Sequence, residues 1–124
     1  MKQSGQVVLL PFPFTDLSAT KLRPALILRK ASREFDDGLV CMVSSQLHQM
    51  DEGMDEIVNA NDADFKSSGL KAPSVLRLSR LAVVDGALLV GSIGSISDGR
   101  LTQADSSLAL MALGHLDDAQ SSKA

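Results

Sequence analysis

Short apolar runs, separated by turn-forming residues, fill most of the chain, and a single helical stripe closes it. Gly5-Gln6-Val7-Val8-Leu9-Leu10 reads as a strand, and Pro11 and Pro13 are expected to end its regular pairing because proline has no N–H. Thr15 to Lys21 is polar and turn-forming. Arg23-Pro24 opens a second apolar run, Ala25 to Leu28, and Asp36-Asp37-Gly38 is a turn signal ahead of a third, Leu39 to Val43. Glu56-Ile57-Val58 is a weak strand. Asn61 to Phe65 has the look of one capped helical turn, ended near Gly69. Ser74 to Leu78 alternates as a half-buried strand does, and two more strands are expected over Leu81–Val84 and Leu88–Ile96, with Asp85-Gly86 as the turn between them. The period then changes. Leu101, Ala104, Leu108 and Met111 make one stripe on a helix, with Ser97 as N-cap, Gly114 as the residue past its end, and a frayed polar tail over 117–124. Many short strands followed by one amphipathic helix predict a mainly β protein, a small barrel with a helix packed on it.

Composition narrows the class. At 124 residues, 44% hydrophobic and 22% charged, the chain is expected to form one globular domain, placed over residues 1–116. The single cysteine, Cys41, lies inside an apolar strand, so it reads as a small buried side chain and not as half of a disulfide or a thiolate cluster. The longest apolar run, Val7 to Phe14, is far short of a membrane span, and the N-terminus lacks signal-peptide chemistry, so a cytoplasmic protein with no membrane contact is expected.

Charge changes the picture more. The net value is −3, which argues against a long-range nonspecific nucleic-acid binder. Yet residues 1–33 carry six basic residues against Asp16 alone, and residues 34–64 carry nine acidic residues with no Lys or Arg. A local basic patch can still hold a phosphate chain, since screening at physiological salt acts over about 8 Å.

Metal chemistry is not expected: His48 and His115 are far apart, and the acidic group around Asp51 to Glu56 suits a solvated loop better than a cation site. Gly91-Ser92-Ile93-Gly94 lacks the lysine of a phosphate-binding loop, and no nucleophile-elbow motif occurs. Three small constellations remain. Lys21-Leu22-Arg23-Pro24 sits where a turn meets a strand, and the proline's fixed φ would aim Arg23. Ser44-Ser45-Gln46 follows directly on a hydrophobic strand. Arg77 stands inside an alternating strand with Ser79 two residues on, hence on the same face.

Taken in order, several segments resemble the MazF/PemK (Kid) toxin family. Gly5 to Asp16 looks like its N-terminal strand and first loop, and Arg23-Pro24-Ala25-Leu26-Ile27-Leu28 resembles its R-P-A-L-V-L segment. Val43-Ser44-Ser45-Gln46 matches the place of a Thr or Ser followed by a polar pair. Gly69 to Leu78 and Ile93 to Ser97 resemble two later segments, so the likeness covers about residues 5–114. It implies an SH3-like barrel with a C-terminal helix, the fold also used by the gyrase poison CcdB, usually as a homodimer. It further implies a sequence-specific endoribonuclease that cuts single-stranded RNA with neither metal nor cofactor. A cognate antitoxin blocks the RNA groove, and DNA is met only through the antitoxin complex.

Under that resemblance Arg23 is the charge stabiliser at the phosphorane, since a planar guanidinium fork suits phosphate oxygens, and Ser44 orients the scissile phosphate or the 2′-OH. Lys21, Ser45, Gln46, Arg77 and Ser79 are expected to bind substrate. Phe14 either stacks a base or caps the barrel. One position departs from the pattern. The Kid branch has an acidic residue two places after the arginine, where this chain has Ser79 after Arg77. A second class therefore stays open: a non-catalytic module on the same barrel, such as a gyrase-type inhibitor or a subunit that only binds its antitoxin.

Overall fold

The computed structural model describes residues 3–12 and 21–121, with the backbone path alone at Phe12 and over 114–121. The strands are β1 (Gln6–Phe12), β2 (Lys21–Lys30), β3 (Asp37–Ser44), β4 (Glu56–Val58), β5 (Ser74–Asp85) and β6 (Gly91–Ser95), with helices α1 (Phe65–Ser68) and α2 (Asp98–Ser121). They form one antiparallel six-stranded sheet in the order β4-β5-β3-β2-β1-β6, curled into a half-barrel that carries α2. The expected mainly β architecture with a C-terminal helix is what the chain adopts.

The sheet has a core on each face, which is why β2 is buried without a break from Ala25 to Leu28. One face packs Val7, Leu26, Leu28, Cys41, Leu76 and Leu78 under Leu101, Ala104 and Leu108 of α2. The other packs Val8, Leu10, Ala25, Ile27, Val40 and Val84. Alternation within each strand assigns neighbours to opposite cores.

Proline does not end β1. Pro11 pairs with Leu22, and the strand runs on to Phe12. Pairing with β6 stops at Leu9, so Pro11 sits where β1 is an edge, and an edge tolerates a missing N–H. Pro24 repeats the device, because β3 pairs with β2 only from Ala25 onward.

The strands expected over Ser74–Leu78 and Leu81–Val84 are one strand. Its register jumps: Arg77 pairs with Met42 and Leu81 with the adjacent Cys41, so Leu78, Ser79 and Arg80 form a bulge in β5. The strand expected over Leu88–Ile96 is shorter, since Gly86–Leu88 winds into a 3₁₀ turn and only Gly91–Ser95 pairs. Ser97 caps α2 by accepting from the Arg100 N–H at 3.1 Å, as expected. The helix passes Gly114 and ends at Ser121, carrying regular backbone into the segment expected to be a tail.

Arg100 ties α2 to the connection between β4 and α1. Its Nε donates to Asp64 Oδ2 at 2.8 Å, one terminal nitrogen to Asp62 Oδ2 at 2.8 Å and Asp64 Oδ1 at 3.0 Å, and the other to Glu56 Oε1 at 3.2 Å and the Ile57 carbonyl at 3.0 Å. Asp64 also accepts from the Ser97 N–H at 3.0 Å. Downstream, α1 closes on Gly69 at φ +76°, where a Cβ would run into the Ile93 backbone of β6. Glycine is the residue that both the left-handed turn and this close approach allow. The chain then reaches Leu70 and Lys71 in a fixed place.

Candidate active-site groove

A groove of about 940 Å³ opens where the ends of β2 and β3 meet the bulged part of β5. Arg23 reaches it from the first turn of β2. The last pair between the two strands is Ala25↔Met42, and Arg23 and Ser44 lie two residues beyond it on their own strands, both in the groove lining. Ser44, Ser45 and Gln46 line the groove with Arg23, and Arg77 enters from β5, paired across from Met42.

A short hydrogen-bonded chain fixes this wall. Ser44 Oγ accepts from the Gln46 N–H at 3.1 Å and donates to Gln49 Oε1 at 3.0 Å. The same Gln49 oxygen receives a long bond, 3.4 Å, from an Arg77 terminal nitrogen. Arg77 Nε is buried and has no hydrogen-bond partner among the described residues. A buried guanidinium N–H with nothing to donate to carries a desolvation cost that an anion in the groove would relieve.

The electrostatics follow from what lines the groove. Arg23, Lys71, Arg77 and Arg80 all line it, and among the described residues no Asp or Glu does. In a chain of net charge −3, four cations without a carboxylate among them are a local reversal of sign. The acidic residues are drawn off elsewhere, to Arg100 and to the β4 connection.

The structure thus brings together Arg23, Ser44, Ser45, Gln46 and Arg77. Lys21 starts β2, exposed and outside the lining. Phe14 lies outside the described residues. Ser79 is not in the groove: its N–H and its Oγ both donate to Asp55 Oδ1, at 3.0 and 2.9 Å. The bulge is the reason, since it breaks the alternation that would put Ser79 on the face of Arg77. Sequence reasoning missed Gln49, Lys71 and Arg80. Arg80 was visible only as a second basic residue after Arg77, and regular alternation would have turned it away.

Burial first, then the Asp55 charge, pushes the Cys41 thiol up to about 12, so it is no nucleophile at neutral pH. Hydrogen bonding from Arg100 holds Asp64 down to about 2, whereas burial raises Glu56 despite the same arginine. Among the described residues no three His, Cys, Asp or Glu side chains gather into a metal-holding group. No helix among them is long and apolar enough to cross a membrane.

The comparisons with known proteins agree on kind. The model of the PemK-like, MazF-like toxins of type II toxin–antitoxin systems matches residues 3–112. No curated protein sequence matches the chain. An endoribonuclease solved in complex with its cognate antitoxin, from Mycobacterial species, superposes with a TM-score of 0.65 at 16% identity, over 92% of this chain and 96% of that one. The Mycobacterium tuberculosis toxin MazF-mt6 superposes with a TM-score of 0.57 at 17% identity, over 83% and 91%. At such identities the two structures establish the fold.

Proposed function

Since the chain belongs to the PemK-like, MazF-like toxins of type II toxin–antitoxin systems, we propose that it is an endoribonuclease that cuts single-stranded RNA in the groove of Arg23 and Ser44. The observation that carries this reading is the set of four groove cations with no carboxylate among the described lining residues. Such a groove attracts a phosphate chain and repels none of it.

RNA supplies its own nucleophile, the ribose 2′-OH, so the protein need not form a covalent bond. As that oxygen attacks, charge builds on the non-bridging phosphorane oxygens. Arg23, with Arg77 beside it, stabilises that charge more strongly than the ground state, which is what accelerates the step. The Ser44 hydroxyl is held by Gln46 and Gln49 and orients the phosphate or the attacking hydroxyl. Ser45 and Gln46 contact bases or phosphates along the wall. Among the described lining residues the groups suited to this step are cations and hydrogen-bond donors, so the rate enhancement drawn from them is electrostatic, with a smaller share for acid–base transfer.

Residues 1–116 act as one domain in this reading. The protein works as a homodimer in the cytoplasm, an antitoxin segment occupies the groove to silence it, and DNA is approached only through that complex. Incubating the purified protein with a single-stranded RNA in the presence of EDTA tests the reaction. Fragments with 2′,3′-cyclic phosphate and 5′-hydroxyl ends are the expected products of 2′-OH attack. Tight RNA binding without cleavage would replace the nuclease reading with that of a binding module.

A further inference from the structure

The bulge in β5 does more than lengthen a strand. In regular alternation residues 77 and 80 project to opposite faces of a sheet. Here both line one groove, because Leu78, Ser79 and Arg80 are inserted between the pairs Arg77↔Met42 and Leu81↔Cys41. A bulge leaves backbone groups unpaired in the ladder, so something must hold its shape.

Asp55 is in place to do so. It is only 8% exposed, yet it lies outside the groove lining. One carboxylate oxygen accepts the Ser79 N–H at 3.0 Å and the Ser79 hydroxyl at 2.9 Å. The other accepts the Asp51 N–H at 2.9 Å, which anchors the carboxylate to its own loop. The same loop is closed by the Asp55 N–H donating to the Asp51 carbonyl at 2.9 Å. The crest of the bulge, Ser79, is therefore bonded at both its backbone and its side chain to one buried charge.

We propose that Asp55 is a positioning residue: through Ser79 it holds the β5 bulge in the shape that turns Arg77 and Arg80 together onto the RNA phosphates. This rests on the RNA-groove reading above, and one arm of the test is independent of it.

The test compares the native protein with Asp55→Ala, Ser79→Ala and Arg80→Ala, each checked for folding by thermal melting. In the RNA-independent arm, the arginine Nε–H signals of the free proteins are read by NMR. Asp55→Ala should shift the Arg77 and Arg80 signals and leave that of Arg29, at the far end of β2, in place. Ser79→Ala should give a smaller shift in the same signals, and it serves alone if Asp55→Ala does not fold. Unmoved Arg77 and Arg80 signals in a folded variant overturn the proposal. In the second arm, binding of a single-stranded RNA is measured across salt concentration. Loss of one phosphate contact lowers the log–log slope by about 0.7. Asp55→Ala, which releases both arginines, should lose about 1.4, Arg80→Ala about 0.7, and the double variant no more than Asp55→Ala. A lower melting temperature with an unchanged slope makes Asp55 a structural residue only and rejects the proposal. Absence of RNA binding by the native protein would instead overturn the groove reading, with the NMR arm still deciding on Asp55.

Discussion

At the residue scale the groove separates groups that meet phosphate from groups that aim them. In the proposed mechanism Arg23 is of the first kind: it is exposed on β2 and lines the groove. Arg23→Ala should slow RNA cleavage by about 10²–10³-fold, the usual loss for one oriented donor at a transition state. Its melting temperature should stay native, and unchanged cleavage by a folded variant would remove Arg23 from the mechanism. Ser79 belongs to the second kind. The family carboxylate expected at that position invites the substitution Ser79→Asp as a repair. The structure predicts the opposite outcome, because the new carboxylate would face Asp55 across the present 2.9 Å hydrogen bond. Two carboxylates in that half-buried place repel, and the hydroxyl bond from Ser79 to Asp55 is lost. We expect Ser79→Asp to cost about 1–3 kcal/mol in chemical denaturation and to raise cleavage not at all. Faster cleavage by this variant would show that the bulge can turn residue 79 back to the groove.

At the element scale the site depends on two close junctions, where α1 meets β6 and where α2 meets the β4 connection. Gly69→Ala would put a methyl group into the backbone of Ile93 and force a left-handed φ on alanine. The loss should exceed the ~1 kcal/mol of an ordinary glycine-to-alanine mismatch, and a melting curve reads it. The Arg100 junction has a definite pH response. Asp64 has a folded-state value near 2, below its unfolded value, so its ionised form favours the folded state above the unfolded value. That contribution is lost as pH falls through the ordinary carboxylate range toward 2. Glu56 is raised and works in the other direction: protonating it relieves burial of its charge. Arg100→Ala leaves three carboxylates without their shared cation; removing one partner of a fully buried pair costs about 3–5 kcal/mol, and this partly exposed cluster should lose less. In the variant the acid limb of the stability curve should be flatter. These elements also show what the sequence could carry. Val7 to Leu10, Ala25 to Leu28 and Leu39 to Val43 are legible as strands because burial on both faces leaves continuous apolar runs. The Ser97 cap and the Gly69 stop are legible because only a few residue types serve there. The β5 bulge is not, since it depends on Asp55, more than twenty positions away in sequence, and no local pattern encodes that bond. Gln49 and Lys71 stayed hidden for the same reason: the groove is assembled from separate segments, and spacing along the chain does not report their meeting.

At the scale of the whole molecule, two surfaces have opposite characters. Val83 is 61% exposed on β5, and Leu110 and Leu113 are more than half exposed on α2. Exposed apolar groups of this size are common at interfaces between copies, so light scattering should return about twice 13.1 kDa; a monomer at high micromolar concentration rejects the dimer. The second surface is the cationic groove, and its behaviour with salt follows from its charge. A protein of net charge −3 that met RNA through its overall field would bind more weakly at low salt, where repulsion is least screened. Binding through the groove has the opposite sign, because each phosphate neutralised by Arg23, Lys71, Arg77 or Arg80 releases counterions into solution. With about 0.7 per contact on a single strand, four contacts set a slope of about −3 in log affinity against log salt concentration. Lys71→Ala and Arg80→Ala, which leave Arg23 in place, should each bring the slope closer to zero by about 0.7. Affinity that rises with salt, or a slope that ignores both substitutions, would mean that RNA is held by some other face of the molecule.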